Sequence, residues 1–256
     1  MKNAVLFLAH FINDSVIEKF IKLKNELPDT CDLFWAFHSD NYGDTNKIED
    51  IGGKIFCFSL ENLNSLGYVY INRLYGRENR IMEYFYNTHP DYDYYWCIEY
   101  DVVFSGSWNS LINSFDKSDS DFISSHVELR NSNNEYWDWW GHINYANTAN
   151  TKCIDIKSFN PIYRISNRAL AFLDTFLKDG NDGFYELIMV TPLYNNGFTI
   201  EDFGGTGDFV KKDNRNRFYV QGSGVNNGTM RWKPLFLKEE IETLGTRDKL
   251  FHPLKE

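Results

Sequence analysis

The sequence predicts an α/β fold, a mainly parallel sheet flanked by helices, with a less regular second half. Three observations predict it. Short apolar runs alternate with stretches of helical period across the first half, at the spacing of strand–helix–strand units. Polar and acidic residues collect where those runs end, which is where ligands sit in open α/β sheets. A chain of 256 residues, 43% hydrophobic and 17% aromatic, is ample for a sizeable core.

Each element has its own signal. Residues 4–9 (AVLFLA) read as a buried first strand. A helix follows from about Asn13, with Val16, Phe20 and Leu23 on one face, Asn13 or Asp14 as cap and Pro28 closing it. Residues 31–37 (CDLFWAF) and 54–60 (KIFCFSL) form the next strands, and residues 76–87 (GRENRIMEYFYN) a helix. A fourth strand lies within 92–108 (YDYYWCIEYDVVFSGSW), then a helix over 108–115 and a strand over 121–127. Residues 128–160, rich in Asn and Trp with poor periodicity, read as an extended surface loop. A helix at 167–178 stops at Asp179-Gly180, and 183–195 forms a helix kinked at Pro192. No linker or repeat interrupts the chain, so 1–256 reads as one domain.

Charge and cysteine usage narrow the chemistry. Lys plus Arg number 26 against 36 Asp plus Glu, a net of −10, which argues against nucleic acid. An acidic protein taking a phosphate ester would need a metal ion to receive it. The four cysteines show no CxxC pairing; Cys31, Cys57 and Cys97 sit in strand-like runs, which favours buried thiols. The opening MKNAVLFLAHF has no small-residue cleavage site, and no run reaches the length of a bilayer span. The expectation is a soluble, cytoplasmic protein without a transmembrane segment, which leaves room for peripheral contact at the inner membrane face.

The 92–108 stretch carries the chemistry. Glu99 and Asp101, two positions apart on a strand, share a side, while Trp96, Ile98, Tyr100 and Val102 line the other. Paired carboxylates repel, and burial worsens it; a divalent cation with hard oxygen ligands relieves both. A solvated strand end is the plainer reading of the pair. His10 and Asp40, also at strand ends, are candidate contacts for a nucleotide. Arg73, Arg77 and Arg80 precede the acidic strand, as a solvated face or as partners for a diphosphate or a charged sugar. The segment EYWDWWGHINY (135–145) places Trp137, Trp139 and Trp140 in a polar setting, as a sugar platform or as packing for a long loop.

The run YWCIEYDVVFSGSW resembles the acidic-motif strand of GT-A-fold nucleotide-diphospho-sugar glycosyltransferases, in a bacterial polysaccharide or lipooligosaccharide type with Glu-x-Asp in place of Asp-x-Asp. Three further segments fit: NPIYRISNRAL (160–170), GFYELIMVTPL (183–193) and FHPLK (251–255). The resemblance implies a GT-A-like, Rossmann-type sheet with 1–127 as the nucleotide-sugar donor half. Residues 128–256 would then be the acceptor half with a metal-closing segment. It implies Mn²⁺ or Mg²⁺ on Asp101, with Glu99 ligating through water or holding the donor's ribose, and His252 completing the shell. Lys255 would neutralise a phosphate, and Arg164 would contact substrate. Glu186 would be the base that takes the acceptor's proton in an inverting transfer, with Asp202 its rival.

The implied activity moves a sugar from a nucleotide-diphosphate donor to a saccharide or glycolipid acceptor. Two rivals stand beside it. A non-catalytic carbohydrate-binding protein explains the tryptophans but not the paired acids. A sugar-phosphate nucleotidyltransferase needs a glycine-rich basic loop after its first strand, and here that turn reads HFINDS.

Overall fold

The computed structural model describes residues 1–39, 45–147, 153–222 and 228–254. In chain order the first elements are β1 (Asn3–Leu8), α1 (Asp14–Glu26), β2 (Cys31–His38), α2 (Asn46–Asp50) and β3 (Lys54–Phe58). Next come α3 (Leu60–Asn64), α4 (Asn79–Thr88), β4 (Tyr94–Glu99), β5 (Val103–Phe104) and α5 (Trp108–Ser114). The second half supplies β6 (Phe122–Leu129), β7 (Ile143–Asn144), β8 (Ile156–Ser166), α6 (Asn167–Lys178), β9 (Asp182–Gly183) and α7 (Tyr185–Ile188). The chain continues through α8 (Thr191–Asn195), β10 (Ile200–Asp202), α9 (Lys238–Leu244) and β11 (Leu250–Phe251).

Seven strands form the central sheet in the order β10-β6-β8-β4-β1-β2-β3. Six of the seven run in the same direction, and β8 alone runs antiparallel to both its neighbours, β4 and β6. The expected mainly parallel α/β sheet is therefore the one found. Its period-2 pattern sorts the core into two layers. Val5 and Phe7 of β1 pack with Phe20, Trp35, Trp96 and Phe115 under α1 and α5. Ala4 and Leu6 face the other way, with Phe34, Phe85, Tyr95 and Leu170 under α4 and α6.

Local signals explain the helix ends. The Asn13 side chain accepts from the Val16 N–H and caps α1, and Val16, Phe20 and Leu23 are its buried face. Ser166 caps α6 through the Ala169 N–H. Residues 183–195 are not one kinked helix. They form two short turns, α7 and α8, with Pro192 near the start of α8, where its missing N–H leaves no gap in the ladder.

Two further expectations need correction. Residues 128–160 are not all loop, because β8 begins at Ile156 and is the longest strand. Cys57 is exposed on the edge strand β3, and none of the four cysteines is in a disulfide. No described helix is long and apolar enough to cross a membrane.

Candidate active site

Strands β1, β2, β3 and β4 end together, and a cleft of about 470 Å³ opens beyond their carboxyl ends. Leu8, Ala9 and His10 come from β1, His38 and Phe58 from β2 and β3, and Glu99–Asp101 from β4. Leu74, Tyr75, Glu78 and Ile81 form the opposite wall.

The acidic pair is arranged by the end of β4. Trp96 and Ile98 point into one core layer and Tyr95 and Cys97 into the other, so Glu99 leaves the sheet on the Cys97 side. The chain turns at once, with the Val102 N–H donating to the Glu99 carbonyl at 2.9 Å, and this turn carries Asp101. A distant segment then reaches the same point. β11 pairs antiparallel with β5, the Leu254 N–H donates to the Asp101 carbonyl at 2.9 Å, and the His252 N–H donates to Thr229 at 2.9 Å. Lys22 of α1 further ties this corner down by donating to the Phe104 carbonyl.

The result is a cluster. Glu99, Asp101 and His252 each present a ligand atom within 4.8 Å of the others. Asp101 and His252 are only 4% and 6% exposed. The imidazole orientation is informative: Nδ1 lies 2.7 Å from the Arg231 carbonyl, which has no hydrogen to give, so Nδ1 must carry the proton. That leaves Nε2 directed at Asp101, with Nε2 to Oδ1 3.6 Å. A lone pair facing a carboxylate is repulsive unless a proton or a cation lies between them. Ligands about 2.1–2.2 Å from one ion lie roughly 3–4.4 Å apart, so the spacing suits a shared ion. Two carboxylates and one imidazole are a donor set that Mn²⁺ or Mg²⁺ accepts.

A second cleft of about 390 Å³ lies across the wall made by residues 74–78. It is lined by Arg73, Tyr75, Arg77, Trp139, His142 and Asn144, with Gly76, Gly141 and Phe184 between them. Trp139 stacks on Phe184, with ring centroids 4.2 Å apart and planes 9° from parallel. Tyr75 faces both clefts. Gly76 makes the turn possible: its φ is +75°, and a Cβ there would stand 3.1 Å from the Phe184 ring.

Two buried acids flank this region. Glu186, in the first turn of α7, is pushed up to about 8 by burial, helped by Glu78 and opposed by Lys157. It lies two residues past Phe184 without lining either cleft. Burial also raises Asp202, to about 7, against the hydrogen bonds that stabilise its charge. Its oxygens accept from the Val127 and Gly204 N–H groups and from the Tyr219 hydroxyl. Asp202 is thus tied into the junction of β6 and β10.

Other expected site residues fall in different places. His10 lines the first cleft and packs edge-on against Tyr100. Arg77 lines the second but spends its fork on Asp182, with Nη2 to Oδ2 2.6 Å. Of the three tryptophans, Trp139 alone lines a cleft. Trp140 is buried and donates Nε1–H to the Asn134 carbonyl at 2.6 Å, while Trp137 packs against it and under Lys157. Arg164 is 2% exposed and donates to the carbonyls of Phe115, Ser118 and Ser120, so it staples β8 to the turn before β6 and lines neither cleft. Asp40 and Lys255 lie outside the described residues.

Sequence reasoning passed over His38, Tyr75, Glu78 and His142. The signal for two of them was present in RLYGRE (73–78): a glycine beside an exposed aromatic marks a turn, and α4 starts only at Asn79.

No protein-family model matches the sequence, and no curated protein matches it. Solved structures that resemble it include nucleotidyltransferases and glycosyltransferases. A putative glucose-1-phosphate thymidylyltransferase from Bacillus anthracis is 10% identical, over 79% of this chain and 86% of that one, with a TM-score of 0.45. A galactosyltransferase solved with donor and acceptor sugar analogues is 11% identical, over 95% of this chain and 79% of that one, with a TM-score of 0.42. The glycosyltransferase GlyE of Streptococcus pneumoniae is 11% identical, over 78% of this chain and 45% of that one, with a TM-score of 0.38.

Proposed function

We propose that the chain is a metal-dependent glycosyltransferase that moves a sugar from a nucleotide-diphosphate donor to a saccharide or glycolipid acceptor. The observation that carries the reading is the convergence of Glu99, Asp101 and His252 within 4.8 Å at the mouth of the first cleft. These three residues would hold Mn²⁺ or Mg²⁺. When bound, the ion offsets the negative charge that grows on the departing diphosphate.

The chain's own residues supply the rest. The first cleft takes the donor, with His10 and His38 beside its nucleotide. The second cleft takes the acceptor, laid on the Trp139–Phe184 stack, and Tyr75 stands between the two. In an inverting transfer the acceptor oxygen attacks the anomeric carbon as the bond to the diphosphate oxygen breaks. The electron pair leaves with the diphosphate, and the hydroxyl proton goes to a carboxylate. Glu186 is that carboxylate in our reading, and its burial means that it acts only once ionised, so the rate rises as pH passes about 8. The resemblance of residues 95–108 supports synthesis of a surface polysaccharide or lipooligosaccharide as the setting.

The test is thermal stability with UDP, GDP, CDP and CMP, each with and without Mn²⁺. One nucleotide at a hundred times its Kd, with Mn²⁺, should stabilise by about 2.7 kcal/mol, a rise of roughly 5–10 °C. Asp101→Ala should abolish that rise and Glu186→Ala should leave it. A nucleotide response that survives Asp101→Ala refutes the metal assignment, and an unchanged turnover in Glu186→Ala removes that residue from the mechanism.

A further inference from the structure

The two clefts divide charge in opposite ways. The first is lined by Glu78, Glu99 and Asp101, with no lysine or arginine among its described residues. The second is lined by Arg73 and Arg77, with no acid among its described residues, in a chain with ten more acids than bases. Composition alone would favour the reverse.

The arginines of the second cleft are not equivalent. Arg77 is held by Asp182, which also takes Arg80 from below. Arg73 is exposed, and among the described residues it lies over the ring of Tyr75, 5.9 Å from guanidinium carbon to centroid. Asp182 thus pairs with two of the three guanidiniums around this floor, while the Glu78 carboxyl accepts from the Gly76 N–H. Burial holds the nearby Glu83 and Glu186 carboxyls well above their usual range, so neither restores the balance near neutral pH. Trp139 on Phe184 offers a flat apolar face beside Arg73, and His142 and Asn144 add polar groups at the rim.

A ring platform next to a guanidinium that has no carboxylate partner among the described residues matches one kind of ligand. We propose that the second cleft selects an acidic saccharide, one whose carboxylate or phosphate group pairs with Arg73 while its sugar ring lies on Trp139. The fork of Arg73 binds a planar or tetrahedral oxyanion through two N–H groups, and the adjacent tyrosine ring limits its hydration. Arg73 is then a specificity residue for the acceptor. This rests on the second cleft being the acceptor side, and its test needs neither donor nor metal.

Methyl β-glucuronide, its methyl ester, methyl β-glucoside and glucose 6-phosphate serve as probes, followed by saturation-transfer NMR and by tryptophan fluorescence. The glucuronide should bind roughly five- to tenfold tighter than ester or glucoside at low ionic strength, with the preference shrinking in salt. A tighter glucose 6-phosphate identifies phosphate as the preferred anion, and a tighter glucuronide identifies carboxylate. Arg73→Gln should erase the preference and keep the residual binding, Arg73→Lys should keep part of it, and Trp139→Ala should weaken all four probes. Equal binding of acid, ester and glucoside, a preference that survives Arg73→Gln, or no binding by either acidic probe overturns the proposal. The Asp101→Ala nucleotide experiment is untouched by any of these outcomes.

Discussion

Replacing Glu186 with Gln should remove a pH-dependent weakness from the fold. The carboxyl is 8% exposed, and burial shifts its ionisation from near 4.5 to about 8. Between those values the folded chain holds a proton that the unfolded chain has lost. Stability therefore falls as pH rises across the window, is undiminished below about 4.5, and carries a constant penalty above about 8. The full difference corresponds to about 5 kcal/mol. Water admitted on ionisation relaxes part of it, so a fall of roughly 2–3 kcal/mol is the working expectation. Gln keeps the shape and has no proton to lose. Urea unfolding from about pH 5.5 to about pH 9, followed by tryptophan fluorescence, reads the difference between the two proteins. Asp202, raised to about 7, is common to both and cancels. The variant should gain on the wild type steadily through the window. A difference that stays flat with pH means that Glu186 is charged or hydrated throughout, and the pH-dependent base assigned to it goes too.

Two other substitutions test the frame of the site. Arg164→Met leaves the carbonyls of Phe115, Ser118 and Ser120 without their donor and should destabilise by about 3–4 kcal/mol in urea unfolding. Nucleotide affinity of the folded protein should be unchanged; a loss of affinity at full stability would return Arg164 to the substrate. Gly76→Ala forces a side chain into a left-handed turn 3.1 Å from Phe184 and should destabilise by about 1–2 kcal/mol, with a shift in tryptophan emission as the Trp139 stack moves. An unchanged spectrum and midpoint would show that the wall between the clefts tolerates a Cβ.

The first half was legible because its signals are local. The run AVLFLA, the Asn13 cap and the Val16–Phe20–Leu23 stripe each specify their element within a few residues. The strand β8 was not legible, although it sits inside the sheet between β6 and β4. Its sequence IKSFNPIYRIS contains Pro161, which has no N–H for a ladder, and buried Lys157, Asn160 and Arg164, which mimic a loop. Tertiary contacts resolve each. The β6–β8 register is irregular around Ser125, Ser124 donates to Asn160, Lys157 pairs with Glu128, and Arg164 finds three carbonyls. At the site, Glu99 and Asp101 stood out as a local anomaly. The charge partition between the clefts did not, because Arg73, Trp139 and Asn144 meet only through the loop before α4 and the β7–β9 pairing.

The segment Leu250–Leu254 bears on how the candidate metal site is held together. His252 is far from Asp101 in sequence, yet its position is set by contacts of the chain itself. Leu250 and Phe251 pair with β5, Leu254 donates to the Asp101 carbonyl, and Lys19 of α1 donates to the Leu254 carbonyl. Phe251 and Leu254 also pack with Phe236 in a small apolar cluster of their own. Backbone pairing and apolar burial thus bring the imidazole to the acids, and the Arg231 carbonyl sets which nitrogen faces them. A ligand set held by these contacts binds without first ordering a loose tail, which spares the conformational entropy that such ordering costs. A cation held by Glu99, Asp101 and His252 would then depend on the docking of Leu250–Leu254, so weakening this apolar cluster should loosen it even with all three residues intact.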